Sequence, residues 1–445
     1  MNDFSEDTMR STTRSRLILL LGFHIVACCV SLIIVAEFFS IHKMAWFDKA
    51  HLFTAVPIVG LFALVAILFV FCRFSFGYLL GFYFYTMILG YLWLAQFSKF
   101  QYDHTVASIS AFVSALAFLV PALFITSPIR QRLVLSARQF DHLLSGILIL
   151  AAVVIASGAF YNFRLVSPTE IYDFREQLLF PGWLRYAIAI TSNSLLPFAF
   201  ACFVARGNLL RAAAVLLLLL LFYPLTLSKL VLFASLWLLF LALLFRFFEA
   251  RTSAVLSLSL PVSAGIILAW LVNTGVLPGA PFSYFFNTIN LRMIAYPSIA
   301  LDVYNDFFSR QDYTYFCQIQ FLKPFVDCPY NDFLSVMMSK AYQLGNLNAS
   351  LFATEGIASV GPIAAPLAVF ACGLVIALAN RLSSGLPPKF ILLSGGIVVH
   401  VFLNVPLTTS LLTGGAAVLF LLWYITPRVM FEQDAGEQTT VAHQT

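Results

Sequence analysis

The chain has 445 residues, of which 61% are hydrophobic and 10% charged, with a net charge of +5 and a mean hydropathy of +0.92. Soluble domains carry roughly 25% charged residues, so this composition excludes a water-soluble globule. The basic residues are scattered, not striped along one face, which gives no nucleic-acid footprint. The apolar residues come in runs long enough to cross roughly 30 Å of hydrocarbon, and backbone in lipid must satisfy its own hydrogen bonds. The pattern predicts an all-α polytopic membrane protein.

A polar tail, 1–15, precedes an apolar run at 16–39. That run is longer than the core of a cleavable signal peptide and no small-residue cleavage site follows, so it reads as a retained signal-anchor helix. Further runs lie at 52–72, 75–97, 106–126, 142–162, 186–205, 212–226, 230–248, 253–275, 356–380, 390–408 and 411–427, about twelve spans in one membrane domain over 16–430. The stretch 212–248 as one helix would be roughly 55 Å long at 1.5 Å per residue. Tyr223-Pro224 and Ser228-Lys229 break it, which predicts a hairpin with arms of about 15 residues, shorter than a full span. The tail 431–445 is polar.

Twelve spans put both termini on one side. Fourteen of the 25 Lys and Arg residues then fall at the terminal side, and 4 of the other 11 sit in one long loop that counts little. Short loops score 14 against 7, which predicts cytoplasmic termini. Two long segments, 162–185 and 276–350, then lie on the outer face, and long loops are usually functional. The larger predicts one or two amphipathic helices lying near the outer membrane surface and interrupted at Pro297. An Asn- and Gly-rich loop follows before the next span.

Five cysteines fall in or beside spans and read as small buried apolar residues. Cys317 and Cys328, the only two in the larger outer loop, would pair in an oxidising compartment. No spacing suggests zinc or haem, so neither metal nor cofactor is expected. Arg175, Arg292 and Lys229 are basic residues placed on the outer face against the orientation rule. Lys229, at the tip of the short hairpin, would lie below the headgroups, where a cation needs a cavity and a partner; the alternative is a lysine that snorkels. The two arginines either pair with Asp173, Glu176 or Asp302, or bind phosphate oxygens in bidentate fashion. Glu355 is either a carboxylate favoured by a helix N-terminus or one that accepts a sugar hydroxyl proton. His400, mid-span, reads as a satisfied buried histidine.

Four patterns resemble the Wzy-type O-antigen (oligosaccharide repeat-unit) polymerases of bacterial inner membranes: YDFREQ (172–177), TLSKLVLF (226–233), LRMIAYPS (291–298) and GNLNASLFATEGIASVGPIAAP (345–366). The likeness covers roughly 160–430 in order and spacing. It departs in the first long loop, where Arg164, Arg175 and Arg185 lack the repeated Arg-to-Gly spacing of some relatives. The resemblance implies a metal-independent glycosyltransferase acting on the periplasmic side. Donor and acceptor are oligosaccharides on undecaprenyl pyrophosphate, with membrane lipid around them and a chain-length regulator and a flippase as partners. Arg292, Lys229 and Arg175 would stabilise the leaving pyrophosphate, Tyr296, Asn346 and Asn348 would orient sugars, and Glu355 would be the base. Two alternatives are an O-antigen ligase-like transferase, which would use a His that 276–350 lacks, and a transporter or flippase, for which no internal repeat is visible.

Overall fold

A computed structural model describes residues 2–38, 45–167, 174, 178–319, 321–343, 347 and 349–431, with the side chains of 2–13 and 280–283 outside that description. Its elements are helical, and among the described residues ten helices are long and apolar enough to cross a membrane. The protein is an all-α, multi-pass membrane protein. The spans are α1 (Arg14–Glu37, within the helix Asn2–Phe38), α2 (Lys49–Phe71), α3 (Phe76–Phe97), α4 (His104–Phe124), α5 (Ala137–Tyr161), α6 (Gly182–Ala205), α7 (Leu209–Thr226), α8 (Lys229–Phe247), α9 (Ala250–Asn273) and α10 (Phe352–Ser383).

The chain divides into two units. The first contains residues 1–125, 251–377 and 402–407 and is built around α3. Every residue from Phe76 to Leu94 is buried, as a helix apolar on all sides requires. Two of its polar side chains find partners inside the unit: Tyr83 Oη lies 2.9 Å from Ser257 Oγ, and Thr86 Oγ1 lies 2.9 Å from His24 Nε2. The second unit contains 126–250, 378–401 and 408–445. In it α7 and α8 form the expected hairpin, closed by Leu227 in the left-handed region at φ 47°. The arms are 18 and 19 residues long, full spans and not the short ones expected.

The last two expected spans are not continuous helices. Residues 388–425 form four pieces, Pro388–Gly395, Val398–Asn404, Leu407–Leu411 and Ala416–Ile425. Gly395-Gly396, Pro406 and Gly414-Gly415 lie at the interruptions, and Gly415 takes φ 83°, a conformation that glycine adopts without steric cost.

The larger loop also differs from expectation. Residues 279–308 form one unbroken helix, Gly279–Phe286, a π-helical stretch Asn287–Ala295, and Tyr296–Phe308. It does not lie on a surface. Asn290 Nδ2 donates to Ser31 Oγ (2.9 Å) and to the Val262 carbonyl (3.0 Å), both inside spans, and nearly all of Pro297–Phe308 is buried. Pro297 does not interrupt it because the wider π turn comes first: the Tyr296 N–H bonds the Leu291 carbonyl, five residues back. That shift accommodates the proline ring without breaking the rod. The Asn-rich stretch expected as loop contains a further helix, Leu334–Tyr342.

Candidate active site

The 279–308 helix carries the densest polar chemistry of the first unit. Arg292 lies in its π segment, is exposed, and stacks its guanidinium 5.5 Å from the Tyr296 ring centroid. Five-residue backbone pairing re-aims side chains and is frequent at functional sites. Further along, Asp302 and Asp306 are both buried at 2% exposure. Asp302 does not pair with Arg292. It accepts hydrogen bonds from Ser98 Oγ (2.7 Å) and from the Tyr102 hydroxyl. Asp306 accepts from Tyr342 Oη at 2.6 Å and pairs with Arg310. Asn305 Nδ2 reaches Tyr91 Oη at 3.3 Å. A small cavity, with about 10 Å³ for a water-sized occupant's centre, lies between Tyr91, Ser110, Ser114, Asn305 and Phe352; that is room for one water.

Burial pushes the Asp302 carboxyl up from 3.8 to about 6, against the opposing pull of its Tyr102 and Ser98 hydrogen bonds. The folded chain therefore holds this proton more tightly than the unfolded chain. The stabilisation that gives is complete below about pH 4 and is lost as pH rises through 6. Two pK units correspond to about 3 kcal/mol. Asp302→Asn should therefore raise the thermal unfolding midpoint relative to wild type more at pH 8 than at pH 5, measured in detergent. An equal offset at both pH values would mean that Asp302 does not titrate in this window.

Glu355 sits on a second π stretch, Phe352–Ala358, which packs against Tyr296–Phe308. It is 6% exposed and lies in the first turn of the helix that opens at Phe352, the end where the helix dipole favours a carboxylate. Thr354 Oγ1 lies 2.6 Å from Glu355 Oε2 and 3.0 Å from the Ser350 carbonyl. A hydroxyl has one proton. It can serve the ionised carboxylate, or turn to Ser350 when Glu355 is itself protonated and donates. Tyr304 is close enough that burial first, and the Glu355 charge second, push its phenol up.

Lys229 and the first long loop belong to the second unit. Lys229 is half-buried at the start of α8. The loop folds over the same hairpin tip. Asn162 Nδ2 donates to the Pro224 and Leu225 carbonyls (3.1 and 3.0 Å), Tyr223 Oη donates to the Val166 carbonyl, and Arg164 stacks on Phe174. Val166, Phe174 and Leu178 pack with Tyr223 and Leu227. Arg175, Asn346 and Asn348 lie outside the described residues. His400 sits edge-on to Trp237 at 4.8 Å. Cys317 and Cys328 are joined by a disulfide, with a Cα–Cα distance of 5.2 Å.

Comparison of the chain with family models, with curated proteins and with solved structures finds no match. Sequence reasoning singled out Arg292, Tyr296 and Glu355, and the structure puts all three on two helices packed together. It missed Asp302 and Asp306 as site candidates. Their four-residue spacing within the largely apolar IALDVYNDFF was a readable signal, since residues i and i+4 share one helix face.

Proposed function

We propose that this protein polymerises lipid-linked oligosaccharide repeat units at the outer face of a bacterial inner membrane. The supporting observation is that the helix bearing Arg292 and Tyr296 packs along the π stretch bearing buried Glu355. Twelve residues separate Arg292 from Tyr304, the neighbour of Glu355, a rise of roughly 18 Å. That backbone rise is spanned by the reach of the two side chains together with the sugar carbon and pyrophosphate held between them.

In this reading an acceptor hydroxyl attacks the anomeric carbon of the donor's first sugar. A new C–O bond forms, the bond from that carbon to the pyrophosphate oxygen breaks, and the undecaprenyl pyrophosphate leaves with the electron pair. Glu355 takes the hydroxyl proton, and Arg292 faces the negative charge that grows on the pyrophosphate. A fixed cation stabilises that charge more in the transition state than in the ground state.

Deleting the gene and running the surface polysaccharide on a gel tests the proposal. Loss of the long ladder, with single repeat units still attached to the surface acceptor, supports polymerisation. Long chains stranded on the lipid carrier would instead mean a ligase. Units trapped on the inner leaflet would mean a flippase and would remove Arg292 from catalysis.

A further inference from the structure

Within α10 the helix breaks at Gly361, which takes φ 75° and ψ 170° and is followed by Pro362. In an unbroken helix the Ala358 carbonyl would accept from the N–H of residue 362, and proline has none. The change of direction at Gly361 also turns the chain away from the next carbonyl, Ser359. Both are taken by a distant piece of chain. The Thr314 N–H donates to Ala358 O at 2.8 Å and the Tyr315 N–H donates to Ser359 O at 3.1 Å. The Tyr313 ring covers Gly361 so closely that a Cβ there would lie 2.5 Å from it.

The same piece of chain reaches the residue next to Glu355 through two hydroxyls and a backbone carbonyl. Thr314 Oγ1 lies 3.2 Å from Ser359 Oγ, Ser359 Oγ donates to the Thr354 carbonyl at 2.8 Å, and Thr354 Oγ1 lies 2.6 Å from Glu355 Oε2. Thr314, Ser359, Thr354 and Glu355 are all buried, so water does not compete for these bonds. The turn that delivers Thr314 is unusual. Tyr315 and Phe316 both take left-handed conformations, φ 46° and 65°, which side-chain-bearing residues keep only when their surroundings enforce it. The next residue, Cys317, is fully buried and tied to Cys328.

We propose that the 313–317 turn is a positioning clamp for Glu355, with Thr314 as its positioning residue and the Cys317–Cys328 disulfide as its fastening. Its catalytic consequence rests on the polymerase reading; its structural core does not. The clamp fixes the π stretch from the side that the helix break leaves open, so the carboxylate is held in one place while it exchanges a proton.

The test uses the full-length protein in lipid vesicles with lipid-linked repeat units. Thr314→Val keeps the shape and removes the hydroxyl; Thr314→Ser keeps the hydroxyl. Thr314→Val should lower kcat by at least about 10-fold at unchanged KM, because small misplacements of a catalytic group are costly, and Thr314→Ser should restore it. Cys317→Ser and Cys328→Ser should each reproduce the Thr314→Val defect, equal to one another. A second readout needs no turnover. The infrared carboxyl band of Glu355, assigned by its loss in Glu355→Gln, should move in Thr314→Val and when reductant is added to the folded wild type. Wild-type kcat in Thr314→Val, a clear difference between the two cysteine variants, or an unmoved band would each overturn the clamp. If the wild type makes no polymer, the polymerase reading fails, and the infrared comparison alone decides the clamp by the same criterion. If Thr314→Val does not accumulate, the reductant experiment on the wild type is read in its place.

Discussion

Arg292→Ala should lower polymer formation by roughly 10²–10³-fold, the usual loss when one fixed donor to a developing anion is removed. The protein's level in the membrane should not change. Arg292 is exposed and its guanidinium stacks on Tyr296, an interaction worth about 0.5–1 kcal/mol at exposed sites. Arg292→Lys keeps the charge but loses the planar fork that fits two phosphate oxygens, so it should recover only part of the rate. The checks are the length of the surface ladder and an immunoblot of the membrane fraction. A normal ladder in Arg292→Ala would remove Arg292 from the site. A lost ladder with a lost protein band would assign it to stability instead.

Most of the scaffold was legible because hydropathy reports directly on what the bilayer demands. The ten long spans fall where apolar runs lie, and the Leu227 turn falls where Tyr223-Pro224 and Ser228-Lys229 interrupt one. Two features were not legible, for a common reason. Residues 279–308 contain Arg292, Asn290, Asp302 and Asp306, so a polarity scale reads them as lying at a surface. Asn290 and Asp302 instead bond Ser31, Ser98 and Tyr102, partners far away in the chain that only the tertiary structure supplies. Residues 388–425 failed in the opposite direction. They are apolar enough for two spans, but Gly395-Gly396 and Gly414-Gly415 divide them, and hydropathy does not see backbone breaks. The candidate site shows the same split. Arg292 and Glu355 were found by residue type and order, whereas the Thr314 contact with Ser359 and the buried setting of Asp302 depend on packing between separate segments.

Pro362 shows how a local sequence rule becomes a tertiary instruction. A proline inside an apolar run usually predicts only a kink. Here it also leaves an acceptor without its helical donor, and a segment more than forty residues upstream fills the place. Because an unpartnered buried carbonyl is costly, the break selects for a docked turn. The docked turn would in turn fix the wall that carries Glu355. The helix break, the glycine beneath Tyr313 and the two left-handed residues before Cys317 therefore serve one local arrangement.

Glu355→Gln should produce the second large loss, roughly 10²–10⁴-fold in kcat, the range for removing a general base. Glutamine matches the carboxylate in size, and its amide oxygen can still accept from Thr354 Oγ1, so the π stretch should persist and KM should change little. The variant also removes the proton exchange that the two alternative Thr354 partners, Glu355 and Ser350, would accommodate. The measurement is kcat and KM in vesicles for the variant and wild type. A full rate in Glu355→Gln would take the base away from Glu355. Asp302 would then be the carboxylate to test, since burial pushes its carboxyl up to about 6 and it lies on the same helix as Arg292.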